Sequence, residues 1–198
     1  AKKLSLSITE EFPKHQFAWK VLAIVLKQNG RINESLIASQ KSVQLDLHDA
    51  EARNNLGNTL KELGKLDESE ASLRQAIELK PDFAEAHNNL GVTLKAQGKL
   101  NEAEVSCRQA IKLKPDYAKA YNHLGVILQK LGRLNEAEAS YRQAMKLKPN
   151  YAEAHSNLGV ILQKLGRLNE AEASYRQAMK LKPDYAEAHS NLLFLYSG

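Results

Sequence analysis

The sequence has little of what disulfide-stabilised or membrane-spanning proteins need. Among its 198 residues there is one cysteine, Cys107, which has no partner for an internal disulfide. The longest uninterrupted apolar run, residues 21–26, is far shorter than the roughly 20 residues that cross a bilayer, and it is also too short for a signal-peptide core. We therefore expect a cytoplasmic protein whose cysteine is reduced and buried.

Catalytic and cofactor-binding motifs are also missing. The sequence has no phosphate-binding glycine loop, no nucleophile elbow, no dinucleotide fingerprint and no zinc-ligand spacing. We therefore expect no catalytic residue, no cofactor and no metal. The prediction is that this chain is not an enzyme.

What the sequence has instead is a repeated unit. A proline recurs with a step of 34 residues, at Pro81, Pro115, Pro149 and Pro183, and the same step backwards reaches Leu47 and Pro13. A fixed period of this length predicts an array in which each repeat buries its apolar face against its neighbours, and such arrays bind partners. The predicted organisation is a partial capping helix (1–15), five repeats (16–49, 50–83, 84–117, 118–151 and 152–185) and a lone first helix (186–198).

Each repeat is predicted to form two helices. In residues 84–97, Ala86, Leu90 and Leu94 lie on one helical face, and Gly98 ends the helix. The second helix is predicted to open at Asn101 with a capping box and to stop before the recurring proline. The predicted boxes are Asn101/Glu104, Asp67/Glu70, Asn135/Glu138 and Asn169/Glu172, and the predicted caps of the first helices are Asp82, Asp116, Asn150 and Asp184.

These residues resemble the tetratricopeptide repeat, a 34-residue unit with a Leu-Gly pair, later small and aromatic positions and a final proline. The matching residues are Leu56-Gly57, Leu90-Gly91, Leu124-Gly125 and Leu158-Gly159, then Ala103, Ala137 and Ala171, Tyr141 and Tyr175, and Ala76, Ala110, Ala144 and Ala178. The first repeat is degenerate, with Ala23 in place of glycine. The resemblance implies an all-α fold, a right-handed superhelix of helix pairs, whose first helices line a concave groove for an extended peptide or a partner's helix.

An asparagine precedes the Leu-Gly position in most repeats. These asparagines are Asn55, Asn89, Asn157 and Asn191, and we call them the Asn ladder. A side-chain amide offers both a donor and an acceptor, so a row of them can hold an extended peptide backbone. The pattern is similar to the asparagine ladder in the repeat region of O-GlcNAc transferases. The alternative is that asparagine is simply common at this position in the family, and both interpretations stay open.

Two neighbouring repeats differ at only five places, which are Lys119/Glu153, Tyr121/His155, Asn122/Ser156, His123/Asn157 and Asn150/Asp184. Lys119, His123 and Lys130 place cationic or titratable groups on one stripe of a first helix. If the differences are specialised, this part of the groove should prefer a carboxylate; the alternative is drift on a tolerant surface. The predicted peptide-binding residues are Asn55, Asn58, Asn89, Lys119, Asn122, His123, Lys130, Asn157, Lys164 and Asn191.

The family also contains a carboxylate clamp that grips the acidic C-terminal tails of chaperones. Asn58, Asn89 and Lys119 match three of its places. Asn54 and His123 stand where the clamp requires cations. We therefore predict that the chain does not bind chaperone tails in that way.

Two clusters of like residues are explained by the repeat itself. The net charge of +5 includes a periodic row, Lys80, Lys112, Lys114, Lys146, Lys148, Lys180 and Lys182. These lysines end second helices, where cations complement the helix dipole. No aromatic residues interleave with the row as stacking platforms for bases, so we predict no nucleic-acid partner. His87, His155 and His189 are equivalent positions of different repeats, too far apart to share a metal ion.

The predicted function is a non-catalytic scaffold that binds an extended segment of another protein in the groove. The alternative is a substrate-recruiting or oligomerising arm of a larger enzyme, of the glycosyl- or sulfo-transferase type. We also predict self-association through the apolar end of the chain, because no second helix follows the last first helix in this sequence. The residues concerned are Leu192, Leu193, Phe194, Leu195 and Tyr196.

Overall fold

The computed structural model describes residue 11 and residues 13–196, so most of the predicted capping helix 1–15 lies outside the described residues. Residues 13–196 contain eleven α-helices and no strand. Their bounds are α1 Gln16–Gln28, α2 Ile32–Leu45, α3 Ala50–Glu62, α4 Leu66–Leu79, α5 Ala84–Ala96, α6 Leu100–Leu113, α7 Ala118–Lys130, α8 Leu134–Leu147, α9 Ala152–Lys164, α10 Leu168–Leu181 and α11 Ala186–Tyr196. The predicted all-α class is confirmed.

The helices divide between two compact bodies, an N-terminal body of residues 1–99 and a C-terminal body of residues 100–198. In the N-terminal body α1 packs on α2 and α3 on α4, each second helix packs on the next first helix, and the first helices α1, α3 and α5 contact one another in turn. The C-terminal body repeats this arrangement with α7 and α8, α9 and α10, and the successive first helices α7, α9 and α11. Across the described residues, no helix has the length and apolar character of a membrane span.

The two helices of a repeat approach closely at the glycine of the Leu-Gly pair. A Cβ atom on Gly57 would lie 2.6 Å from Leu73 Cγ, and one on Gly159 would lie 2.5 Å from Tyr175 Cε1. Leu73 and Tyr175 are fully buried side chains of the second helix. Glycine is therefore required because the large side chain of the second helix occupies the space that a methyl group would need.

The same contact explains the degenerate first repeat. Ala23 stands at the glycine position, and the equivalent second-helix residue, 34 residues before Leu73, is Ser39. Both are buried, and the small Ser39 leaves room for the methyl group of Ala23. Cys107 takes the same second-helix position in repeat 84–117, where it is buried, as predicted.

The predicted capping boxes of the second helices are wrong. The N-cap residues of α4, α8 and α10 make no side-chain capping hydrogen bond. Gly64 turns the preceding loop with a φ of 74°, and the amide of Lys65 then donates to the carbonyl of Leu60 over 3.0 Å. This bond completes the turn at Lys65, so the next helix already begins at Leu66, before the predicted cap Asp67. Asp67, Asn101, Asn135 and Asn169 are the second residues of their helices rather than caps.

The predicted caps of three first helices are also wrong. Residues Phe83, Tyr117 and Tyr151 occupy the N-cap positions of α5, α7 and α9 and make no side-chain hydrogen bond there. The backbone closes these turns by itself, as where the amide of Ala84 donates to the carbonyl of Asp82 over 3.0 Å. Asp184 lies two residues before α11. A side-chain cap does occur in α3, where Asp49 Oδ1 accepts from the amide of Ala52 over 2.9 Å.

The glutamates assigned to those boxes connect neighbouring repeats instead. Glu138 accepts from Arg142 on its own helix and from Arg167 of the next repeat, both over 2.8 Å. Two further glutamates repeat this bridge, Glu70 with Arg74 and Lys99, and Glu104 with Arg108 and Arg133. The bridging carboxylates are half-buried, which makes these pairs less screened by solvent than ordinary surface pairs. We call Glu70, Glu104 and Glu138 the bridging glutamates.

The glycine contact predicts a coupled effect on stability. Gly159→Ala should lower the free energy of unfolding by about 1–3 kcal/mol, because the new methyl group overpacks against the Tyr175 ring. In a Tyr175→Ser background, which copies the pair Ala23 and Ser39, the same substitution should cost almost nothing. Urea unfolding of the four proteins measures the coupling, and equal costs of Gly159→Ala in both backgrounds would contradict it.

The bridging glutamates predict an acid-dependent loss of stability. Hydrogen bonds from Lys99, with help from Arg74 and Gln97, lower the pKa of Glu70 to about 2. Because the pKa is lower in the folded than in the unfolded chain, the stabilisation is complete above about pH 4.5 and is lost as the pH falls towards 2. The stability difference between the parent and Glu70→Gln should therefore shrink over that range.

Urea unfolding of both proteins at a series of pH values measures this difference. The matched control is Glu68→Gln, which removes an exposed carboxylate that pairs with Lys65 of the same helix end over 3.1 Å. A difference between parent and Glu70→Gln that stays constant from pH 7 to pH 2.5 would overturn the assignment.

Candidate peptide-binding surface

All ten predicted binding residues lie on first helices. In the N-terminal body they are Asn55 and Asn58 on α3 and Asn89 on α5; in the C-terminal body they are Lys119, Asn122, His123 and Lys130 on α7, Asn157 and Lys164 on α9, and Asn191 on α11. Because successive first helices of one body contact each other, the candidates of each body lie on neighbouring helices. Each body therefore presents its own candidate binding surface.

Two members of the Asn ladder are hydrogen-bonded to the preceding repeat. Asn89 Nδ2 donates to Asn54 Oδ1 over 2.9 Å, and Asn157 Nδ2 donates to Asn122 Oδ1 over 3.1 Å. Each bond joins two neighbouring first helices. Part of the reason for asparagine at these positions is therefore internal, since one amide donor of the ladder residue is used within the fold.

The ladder residues differ in how much of the amide stays available. Asn89 is buried, whereas Asn55 and Asn157 are half-buried. In the part of the chain that the structure describes, the side chain of Asn55 makes no hydrogen bond. Asn122 is buried and its oxygen is occupied, so it acts by positioning Asn157 rather than from an open surface.

Asn54 is a residue that the sequence-based list of candidates missed. It is buried on α3 and accepts the hydrogen bond from Asn89 of the next repeat. The consecutive asparagines at 54–55 and 88–89 were the available signal, because they place an amide on the binding position and another beside it. The spacing of 35 residues between donor and acceptor became visible only in the folded chain.

The charged candidates of the C-terminal body are more accessible than the ladder. Lys119, Lys130 and Lys164 are exposed, and His123 is half-buried. Lys119 stands in the first turn of α7, at the position that Glu153 takes in α9. This region therefore offers a positive charge where the following repeat offers a negative one.

The three histidines each have a separate structural partner. His87, His155 and His189 each donate from Nε2 to the carbonyl of the proline six residues earlier, over 2.9, 3.0 and 2.8 Å. Trp19 and Arg53, at the equivalent positions, donate to the carbonyls of Pro13 and Leu47 over 2.9 and 3.0 Å. This position therefore connects α1, α3, α5, α9 and α11 to the loop before each helix.

The periodic lysines are accompanied by aromatic rings of the same chain. Lys148 Nζ lies 4.6 Å from the ring centroid of Tyr151, and Lys182 Nζ lies 4.9 Å from that of Tyr185. Lys80 with Phe83 and Lys114 with Tyr117 make the same contact at 5.2 and 5.3 Å. These rings serve cation–π contacts with lysines of the same chain, which gives them an internal role.

The apolar end of the chain is only partly exposed. Leu193 and Phe194 are 71% and 70% exposed, and Tyr196 is also exposed. Leu192 is buried, so its inclusion in an exposed surface was wrong; α11 packs on both α9 and α10, and this residue faces the packed side. Leu195 is half-buried.

Comparison with protein families identifies the repeat. A family model described as TPR repeat matches residues 57–98, and two models described as Tetratricopeptide repeat match residues 84–117 and 116–184. Together the matches run from residue 57 to residue 184. A comparison with curated proteins found no match.

Comparison with solved structures supports the same fold. TTC0263, a thermophilic TPR protein of Thermus thermophilus, is 23% identical with a TM-score of 0.79, over 92% of this chain and 100% of that chain. PilF of Pseudomonas aeruginosa is 18% identical with a TM-score of 0.76, over 92% and 90% of the two chains. YrrB, a TPR protein with an unusual peptide-binding site, is 20% identical with a TM-score of 0.66, over 96% and 98%.

These likenesses, at under 25% identity, concern the fold, and the family models concern the sequence of the repeats themselves. Both agree with the helix pairs and the 34-residue period described above. Arrays of this kind act as scaffolds for interactions between proteins. The chain belongs to the tetratricopeptide-repeat family.

Proposed function

We propose that the chain is a non-catalytic cytoplasmic scaffold that binds an extended segment of another protein along its first helices, through the Asn ladder. The observation that carries the proposal is the pair of bonds Asn89–Asn54 and Asn157–Asn122, which hold ladder amides in register on neighbouring helices. An amide held in this way has lost its rotational freedom before a ligand arrives. Binding then costs less conformational entropy.

The remaining groups of the half-buried Asn157 suit a peptide backbone. Each side-chain amide has two donor hydrogens and an acceptor oxygen, and the bond to the preceding repeat uses one donor. A peptide in extended conformation presents its own donors and acceptors in a repeating row. YrrB, which shares the fold at low identity, is a TPR protein with an unusual peptide-binding site, and this favours a peptide as the ligand class.

The region around Lys119, His123 and Lys130 adds a preference for negative charge. Lys119 and Lys130 are exposed on α7, and the equivalent of Lys119 in the next repeat is Glu153. A carboxylate of the bound segment close to Lys119 would gain a charge-assisted hydrogen bond. We infer that an acidic side chain of the partner lies over this part of the C-terminal body.

A second candidate function is the substrate-recruiting or oligomerising arm of a larger enzyme, of the glycosyl- or sulfo-transferase type. It uses the same first-helix surface, and the similarity of the Asn ladder to that of O-GlcNAc transferases favours it. The two functions differ in the domains that accompany the repeats in the full-length protein.

Peptide-display selection tests the binding surface. Peptides enriched on the parent protein should lose affinity about tenfold or more for a variant carrying Asn55→Ala, Asn89→Ala and Asn157→Ala, because each substitution removes backbone hydrogen bonds. Enriched peptides that carry an acidic residue should weaken further with Lys119→Glu. The binding of each peptide is measured by fluorescence anisotropy.

The matched control carries Asn101→Ala, Asn135→Ala and Asn169→Ala, three exposed asparagines on second helices. It should bind every selected peptide as the parent does. Urea unfolding of both triple variants separates a loss of binding from a loss of fold, since Asn89 and Asn157 also bond to the preceding repeat. Equal binding by the parent and the ladder variant would remove the ladder from the binding surface.

We further propose that a second copy of the chain covers the exposed residues Leu193 and Phe194. The exposed Phe17 and Ile24 on α1 offer an apolar surface at the other end of the described chain. A contact between these unlike surfaces of two copies would be of the head-to-tail type. Such a contact would be apolar, because it would remove exposed apolar side chains of both copies from water.

Light scattering over a range of concentrations tests this self-association. The average mass of the parent should rise with concentration, and a variant with Leu193→Ser and Phe194→Ser should stay monomeric. Val105→Ser, which removes an exposed valine from α6, should associate like the parent. A parent that remains a monomer at the highest concentration would contradict the proposal.

A further inference from the structure

The twelfth residue of the first helices α1, α3, α5, α7 and α9 is of a different type in the two bodies. In α1, α3 and α5 of the N-terminal body this residue is Lys27, Lys61 or Lys95; in α7 and α9 of the C-terminal body the equivalent residue is Gln129 or Gln163. The lysines lie on successive first helices that contact each other. We call Lys27, Lys61 and Lys95 the lysine row.

The glutamines have an internal function that explains them. Gln129 Oε1 accepts from the hydroxyl of Tyr141 over 3.2 Å, and Gln163 Oε1 accepts from that of Tyr175 over 3.0 Å. These bonds satisfy the phenol groups of buried side chains. In the repeat of Lys61, the second-helix residue equivalent to Tyr141 and Tyr175 is Leu73. The side chain of Leu73 has no polar group that could form a hydrogen bond with a lysine.

The ammonium group of Lys61 is therefore poorly compensated. Lys61 is half-buried, and within the described residues its side chain donates no hydrogen bond. Burial, and then the charges of Lys27 and Lys95, lower the pKa of Lys61 below its ordinary value. The neighbouring carboxylate, Glu62, is paired with Lys27 over 2.8 Å.

We propose that the lysine row is a subsite for an acidic side chain of the bound peptide on the N-terminal body, with Lys61 as its centre. This inference rests on the proposed function and assigns the chemistry of one part of the partner. A carboxylate beside Lys61 offsets the repulsion among the three ammonium groups and accepts a hydrogen bond that the fold does not supply. The row uses other positions than Asn54, Asn58 and Lys119.

The surroundings of Lys61 favour a peptide over another polyanion. Asn58 precedes Lys61 by three residues on α3, so that these two side chains are neighbours on the surface of the helix. In an extended peptide, amide groups that contact the backbone and an ammonium group that contacts an acidic side chain can act together. The partner is therefore expected to carry Asp or Glu in the stretch that crosses α3.

Fluorescence anisotropy with defined probes tests the subsite. The probes are a fluorescein-labelled peptide of alternating Glu and Thr, the same peptide with Gln for Glu, and a labelled oligothymidine of similar length. The double variant Lys27→Gln, Lys61→Gln carries glutamine, the residue that α7 and α9 have at this position. It should bind the Glu peptide about tenfold or more weakly than the parent does. Binding of the Gln peptide should be weak in the parent and unchanged in this variant.

The matched control is Lys65→Gln with Lys80→Gln, which removes the same charge from exposed lysines of the N-terminal body outside the first helices. It should bind the Glu peptide within about twofold of the parent. An equal loss in both double variants would overturn the subsite, because it would reduce the effect to net charge. Tighter binding of oligothymidine with the same dependence on Lys27 and Lys61 would replace the peptide by a nucleic acid.

The peptides obtained by display selection separate this inference from the proposed function. One outcome is that selected peptides bind through the Asn ladder, while they and the Glu peptide bind the Lys27 and Lys61 double variant as tightly as the parent. In that case the proposed function stands and the subsite fails. If the selection enriches no peptide and the Glu peptide does not bind the parent, the proposed function fails and the subsite fails with it. Urea unfolding of each variant confirms that the fold is retained.

Discussion

The contact between the glycine of the first helix and a large side chain of the second helix is the interaction on which the rest of each repeat depends. With no side chain on Gly159, the Tyr175 ring lies where a Cβ atom would be, and the two helices approach closely. The close approach sets where the next first helix can pack. Neighbouring first helices then come near enough for Asn157 to reach Asn122 over 3.1 Å.

The residue types at three positions of the repeat depend on one another through this contact: the glycine of the first helix, the large residue of the second helix and the twelfth residue of the first helix. Where the second helix has Tyr175, the first helix has Gly159 to admit the ring and Gln163 to accept its hydroxyl. Where the second helix has Leu73 there is no hydroxyl, and the twelfth residue of the first helix is Lys61. The residue type on the second helix thus decides whether the twelfth position of the first helix is used inside the fold, and Lys61 at this position is the proposed subsite for an acidic side chain.

Polar bonds between neighbouring repeats occur on both helices of the repeat. On the second helices the bridging glutamates bond to a cation of the next repeat, as Glu138 does with Arg167. On the first helices Asn89 bonds to Asn54 in the same sense, from one repeat to the one before. Both kinds of bond add directional contacts to the burial of small apolar residues, and directional contacts fix the register of stacked helices more strictly than apolar surface alone.

The sequence by itself determined the period, the helix pairs, the family and the location of the candidate residues on first helices, because these follow from local spacing around Pro81 and Leu90-Gly91. It did not determine the helix starts: Gly64 turns the chain early, so Asp67 lies inside a helix. Only the tertiary structure decided which polar residues bridge repeats, because their partners are 29 to 35 residues away. The exposure of a side chain and its hydrogen bonds depend on those distant neighbours, and local spacing does not contain them.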